Sequence, residues 1–274
     1  MSNLLRADFR RMFKSRTFYI AVALMLVAGI AFPLVYYFDM REYPGAMSFK
    51  QYFTDYSVYA VAVLAAFAAL FIGTDYSDGT LRNKLIAGNK RACVYLSNLL
   101  VQIFTGLVLC VAYLVPFMLI ALNLIGDMPD DGCSYIAISL AMVVSFAAIF
   151  TLASMLSSSK ARSVVVCFVC AVVLLYGGIF VSGKLHEPEF YSTYYQDAEG
   201  EVFERQDTPN PNYVGGNLRK VLTVANDVNP GGQAIGVFTM EEGLDAVKLA
   251  GYDLAVLVLV TGVGMLLFKK KDLK

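Results

Sequence analysis

Three places in the chain bring together residue types that do chemistry elsewhere, and each lacks a part. Gly178, Gly183 and Lys184 have the Gly-x4-Gly-Lys spacing of a phosphate-cradling loop, but Leu185 stands where a Ser or Thr would hold magnesium, and no strand precedes them. His186, Glu187 and Glu189 could touch a metal ion, yet His186 is the only histidine and the stretch reads better as a solvated loop. Cys167 and Cys170 have the spacing of a redox pair inside an apolar run, where cysteines serve far more often as small packing residues. The remaining candidates are polar without charge: Asn98, Gln102, Thr105, Asn123, Ser145, Thr151, Ser154 and Tyr176, all within apolar runs. Such residues usually pair helices together. If some of them, with Asn98, Gln102 and Tyr176 as the candidates, instead face a central cleft, it would suit an amphipathic or hydrophobic guest rather than a small ion.

The runs that must position these residues are long. The 274 residues are 58% hydrophobic, above the ~45–50% of soluble domains, and contain no Trp. Hydrocarbon about 30 Å thick needs roughly 20 helical residues to cross it. Five runs without an ionisable residue meet that length: Thr17 to Phe38, Tyr56 to Thr74, Ala92 to Gly126, Gly132 to Ser159 and Ser163 to Gly183. A sixth, Leu254 to Phe268, spans only if Leu249 to Asp253 join it, with Asp253 about one turn inside the surface, where a charge costs far less than at mid-bilayer. The expected spans are therefore about 17–38, 56–74, 96–124, 133–157, 163–183 and 249–268, in one transmembrane domain covering 1–274, with a polar segment at 184–248. Pro33 and Pro116 are expected to kink spans 1 and 3. The uncharged window of span 3 exceeds the bilayer and should project inward past it.

The polar pieces between spans take turns being basic and acidic. Pieces 1–17, 74–95, 157–163 and 269–274 hold fifteen of the 22 Lys and Arg but four of the 22 acids. Lys and Arg in short loops favour the cytoplasm, so both termini are expected inside. Residues 3 to 16 form an amphipathic helix, with Leu5, Phe9, Met12 and Phe13 on one face and Arg6, Arg10 and Lys14 on another. It can lie in the membrane interface with its cations on anionic lipid, or act merely as a basic anchor that sets topology. On the outer side, Leu218 to Ala225 and Gln233 to Val247 are helical stretches long enough to pack on the mouth of the bundle but not to cross. Catalysis fits poorly, because spans 1 to 5 hold no Glu and no His, and an ion-driven carrier would want a charge within the bilayer.

The inner piece between spans 2 and 3 is the most structured. Ser77 or Asp78 can cap, and Gly88-Asn89 can end, a helix of about nine residues. Leu81, Leu85 and Ile86 line one side of it and Arg82 and Lys84 another. Held between two spans, it is either a rigid lever for a soluble partner or a topology signal only.

At these residues the chain resembles a known family. The basic entry helix, the long segment with an Asn-Pro between spans 5 and 6, and Asp75 to Arg91 (acid, then Gly-Thr-Leu-Arg-Asn-Lys-Leu, a small residue and a basic pair) are similar to the membrane subunit of an ATP-binding-cassette exporter of the second permease class, over nearly the whole chain. The resemblance implies an all-α polytopic protein with six spans, an N-terminal interfacial helix, a short inner coupling helix and an outer segment after span 5. It implies that Asp78, Thr80, Leu81, Arg82, Lys84 and Leu85 enter a groove of a separate ATPase subunit. That subunit would hold the ATP and magnesium, and this chain no cofactor and no enzyme activity of its own. A second permease half, identical or a sister chain, and the lipid membrane are the other implied partners, with no nucleic acid among them. The implied location is a bacterial plasma membrane. The implied activity is export of an amphipathic peptide, a bacteriocin or a lipophilic drug, with Asn98, Gln102 and Tyr176 on the substrate path. The alternatives are a non-transporting scaffold or sensor that reads a ligand with its outer segment, and a secondary carrier.

Overall fold

A computed structural model describes residues 1–42, 53–126, 128, 130–196 and 202–271. Part of the outer piece after span 1 and the last residues of the basic tail lie outside the described residues. In chain order the elements are α1 (Ser2–Lys14), α2 (Arg16–Glu42), α3 (Tyr56–Ser77), α4 (Thr80–Ile86), α5 (Arg91–Leu124), α6 (Gly132–Leu156), α7 (Lys160–His186), β1 (Phe190–Gln196), β2 (Val202–Pro209), α8 (Gly216–Val228), α9 (Pro230–Phe238) and α10 (Ala246–Lys270). Six helices, α2, α3, α5, α6, α7 and α10, are long and apolar enough to cross a membrane. They are the six expected spans, five of them extended by a few residues at one or both ends and the fourth shifted by one residue. The sixth, which on its charge-free residues was short, reaches 25 residues by starting at Ala246, where Asp245 Oδ1 accepts from the amides of Val247 and Lys248.

The middle of the bundle is α3 and α6. Ala60, Leu64 and Ala68 of α3 and Ile138, Met142, Phe146 and Phe150 of α6 are fully buried, while α2, α7 and α10 expose apolar faces such as Val165, Val169 and Val172. Outward apolar side chains are what a lipid-facing surface requires, since hydrocarbon does not reward hiding them. Close approach is managed by glycine: a Cβ at Gly106 of α5 would run into Val143 of α6 and Leu64 of α3. α5 runs unbroken through Pro116 for 34 residues, about 51 Å at 1.5 Å per residue. Its first turns lie between α1, through Ser97 and Asp8, and the end of α10, through Arg91 and Tyr95.

Two parts differ from the expectation. Gln233 to Val247 is not one helix. α9 starts earlier, at Pro230, and stops at Phe238, after which Met240 (φ 51°) and Gly243 (φ 76°) turn the chain into α10. α9 is buried from Pro230 to Val237 rather than resting on the mouth. Asn229 caps it, accepting from Gly231 N at 3.0 Å, and its amide donates to Leu174 O of α7 at 2.9 Å. Ser57 of α3 donates to Ala234 O at 3.1 Å. The second difference is a small antiparallel hairpin, β1–β2, in the tyrosine-rich piece of an otherwise helical chain, with Phe190 opposite Pro209 and Gln196 opposite Val202.

Candidate functional site

The loop between α3 and α5 folds as a short helix on a hinge. α3 continues to Ser77, so neither Ser77 nor Asp78 caps α4, contrary to the sequence reading; Ser77 Oγ donates back to Gly73 O at 3.2 Å, and Gly79 at φ 67° turns the chain. α4 is therefore seven residues long. Its end is the expected one. Gly88 is left-handed at φ 84°, with Gly88 N donating to Leu85 O at 2.9 Å and Asn89 N to Lys84 O at 3.4 Å, so both orphan carbonyls are covered.

α4 is held by a polar cluster to which α1 and α3 bring charges and α5 a hydroxyl. Lys84 Nζ lies 2.7 Å from Asp8 Oδ1 of α1 and 2.9 Å from Asp75 Oδ2 of α3. Arg11 of α1 pairs with Asp75 and lies with its guanidinium 3.8 Å above the ring of Phe71. Ser97 of α5 donates to Asp8 Oδ2 at 2.6 Å. Asp8 is 1% and Asp75 0% exposed, so both carboxylates rely on these cations and hydroxyls in place of water. Burial pulls the Lys84 ammonium below its usual range, and the neighbouring Arg11 adds to that while Asp8 opposes it; burial likewise lowers Arg11 to about 10, against the pull of Asp8. Two acids and two bases balance, and such a set holds parts together rather than reacting.

A second knot gathers the other span ends. Arg91, at the start of α5, donates to the carbonyls of Phe268 (3.0 Å), Lys269 (3.2 Å) and Lys271 at the end of α10. Lys271 Nζ donates to Tyr76 Oη at 3.0 Å, Met155 O at 3.0 Å and Ser157 O at 2.7 Å, and burial together with Arg162 pushes it down to about 8. The end of α3, the start of α5 and the ends of α6 and α10 are thus cross-linked around the root of α4.

The sequence-derived residues divide on this frame. Leu81 is buried (2% exposed) among Phe71, Val94 and Leu4, Leu85 is half-buried on the same cluster, and Lys84 points inward; Asp78, Arg82 and Ile86 (73% exposed) point away. Thr80 is half-buried. On α1, Arg6, Arg10 and Lys14 are exposed as expected. The covered face is Leu4, Asp8 and Met12 rather than Leu5, Phe9, Met12 and Phe13, because Asp8 meets Lys84 and Met12 Sδ accepts from Thr105 of α5 at 3.3 Å. Leu5 and Phe9 are half-buried, Phe13 is exposed, and Phe9 packs edge-on against Phe104 at 5.3 Å. The substrate-path trio does not assemble: Asn98 and Gln102 are fully buried in α5, whereas Tyr176 is 68% exposed on the outside of α7. Sequence reasoning missed Asp8, Arg11, Asp75 and Ser97. The signal was the scarcity of acids in the basic pieces, with Asp8 four residues from both Leu4 and Met12.

The other candidates resolve simply. Residues 178 to 185 are continuous helix with no strand before them, which leaves no phosphate loop. Glu187 accepts from Asn210 at 2.8 Å, while His186 Nδ1 bonds Ser182 O at 2.8 Å within its own helix. Cys167 is buried with its sulfur 3.1 Å from Ser154 Oγ. The profile of the ABC-2 family transporter proteins matches residues 2–273. No curated protein matches the chain.

Proposed function

The chain belongs to the ABC-2 transporter family, as a multi-pass membrane subunit of an ATP-binding-cassette transport system, and from that premise we propose that α4 is the handle by which a separate ATPase subunit drives it. The observation that supports this reading is the charge cluster. A helix hinged at Gly79 and tied by Lys84 to α1 and α3, next to Ser97 of α5, cannot be pushed without moving all three. The partner would grip the outward side, Asp78, Arg82 and Ile86, while Leu81, Leu85 and Lys84 carry the load inward.

ATP and magnesium belong to the partner in this reading, and this chain supplies the bundle that rocks between inward-facing and outward-facing arrangements. A ligand shifts such an equilibrium only through differential affinity for the two states, which ATP provides by closing the paired ATPases. The unit is completed by a second permease half, both termini face the cytoplasm of a bacterial cell, and the passenger is an amphipathic peptide or a lipophilic drug leaving the cell. The buried, uncharged polar groups Asn98 and Gln102 would meet it only after the bundle opens.

The test is co-expression with the cognate ATPase. Ile86→Asp and Arg82→Glu are expected to leave the protein inserted at wild-type levels while ATPase co-purification and ATP-dependent export fall about tenfold or more, the equivalent of ~1.4 kcal/mol. Leu81→Asp is expected to lower the amount of folded protein, since it buries a charge. Wild-type export by both surface variants overturns the proposal, and export that stops with a protonophore while ATP is maintained points to a secondary carrier instead.

A further inference from the structure

The cationic side of α1 and the apolar groove next to it are left unused by the reading above. Arg6, Ala7, Arg10, Arg11 and Lys14 recur at helical spacing and line a shallow hollow of about 510 Å³. Asp8, the one acid of α1, is turned away into the charge cluster. Among the described residues, Arg6, Arg10 and Lys14 form no ion pair. Three residues beyond Lys14, a groove of about 300 Å³ begins between α2, α3 and α7, lined by Ile20, Leu24, Ala62, Val63, Leu70 and Phe168 among others. Beneath the surface the Arg11 guanidinium lies 3.8 Å over the buried ring of Phe71, which stacks at 5.2 Å on Phe67, a residue of the groove wall.

A concave cluster of guanidinium and ammonium groups suits a phosphate, because Arg presents paired donors to two oxygens at once. An apolar groove whose lining starts at Thr17, three residues further along the chain, suits a hydrocarbon chain. One molecule class present in every membrane carries both. We propose that the hollow and the groove form a site for a single anionic phospholipid, its phosphate beside Ala7 between Arg6, Arg10 and Lys14, and one acyl chain along Ile20, Leu24 and Val63. Charge decides this occupant: three unpaired cations select an anionic headgroup over a zwitterionic one. This site does not depend on the transport reading, and its test measures binding alone.

The full-length protein, delipidated in neutral detergent, is titrated with phosphatidylglycerol and with phosphatidylcholine, and retained lipid is counted by native mass spectrometry. One phosphatidylglycerol per chain is expected, retained with a preference over phosphatidylcholine of about tenfold or more. Arg10→Gln with Lys14→Gln is expected to erase that preference. Ala62→Phe, at an exposed wall of the groove, should keep the headgroup preference but lose the gain from longer acyl chains. Elution profiles identical to wild type establish that the variants are folded. Equal retention of the two lipids by the wild type, or unchanged phosphatidylglycerol retention by the double variant, overturns the proposal. So does an Ala62→Phe protein that changes from dimer to monomer while holding lipid as before, because the groove is then an interface with a second copy.

Discussion

Lys84 is the residue on which the α4 end of the bundle is assembled. Its ammonium lies within ion-pair distance of both Asp8 and Asp75, and with Arg11 it pairs two nearly inaccessible carboxyl groups. Buried ion sets often add little net stability over a well-packed apolar group, but removing one member leaves the others stranded. Lys84→Met is therefore expected to cost about 3 kcal/mol, seen as a lower midpoint of heat-induced aggregation in detergent, whereas Arg82→Ala, on the exposed side of the same helix, should stay within about 0.5 kcal/mol. Equal midpoints for the two variants would mean that the cluster bears no load. Part of this was legible beforehand: the helix, its glycine end and its polar composition could be read from residues 75 to 91. The partners of Lys84 could not. Arg82 and Lys84, two residues apart, point to opposite sides of the helix, and only acids 76 and nine residues away decide which side is covered.

Among the elements, α9 is the one whose placement rests on the smallest side chains. Gly231 of α9 sits against the Leu174 carbonyl of α7, and Gly178 of α7 against the Gly231 carbonyl, so two backbones touch with nothing between them. A valine at position 231 meets backbone, which has no rotamer to move out of the way. Gly231→Val is expected to destabilise by about 2–3 kcal/mol or to displace α9 from the bundle. Gly251→Ala in α10, where a Cβ meets nothing within 4 Å, should be neutral or slightly stabilising. Limited proteolysis between α9 and α10 together with thermal midpoints checks both, and a Gly231→Val protein as protease-resistant as wild type would contradict the packing argument. Adjacent glycines at 177 and 178 within an apolar run mark, in the sequence, a point of close helix approach. The partner across it is not marked, because Gly231 lies beyond a hairpin and a further helix.

At the scale of the whole molecule, the segregation of basic residues and the exposed apolar girdle define how the bundle sits in its membrane. Cys133, exposed at the start of α6, and Cys93, half-buried at the start of α5, lie at opposite ends of the bundle. In intact cells, a membrane-impermeant maleimide is expected to label a variant retaining only Cys133 and to spare one retaining only Cys93 until the membrane is permeabilised. The reverse pattern would invert the topology and place α4 outside, beyond the reach of any cytosolic ATPase. With the expected labelling, the cross-linked ends, Arg91 on the end of α10 and Lys271 on Tyr76 and the end of α6, would form the rim that faces the proposed ATPase.

The six spans, the family and the short inner helix followed from sequence alone, because hydrocarbon thickness imposes a length, charge imposes a boundary, and a glycine past the last helical turn announces the stop. Tertiary structure alone decided which faces are hidden. A run that is apolar all round has no preferred side, so Tyr176 outside and Gln102 inside look alike in the chain, and α9 can be buried without a longer hydrophobic stretch to mark it. The same holds for Asp8, Asp75 and Lys84: each is an ordinary surface residue by its neighbours, and becomes core only because opposite charges arrive from distant segments to replace the water that each gives up.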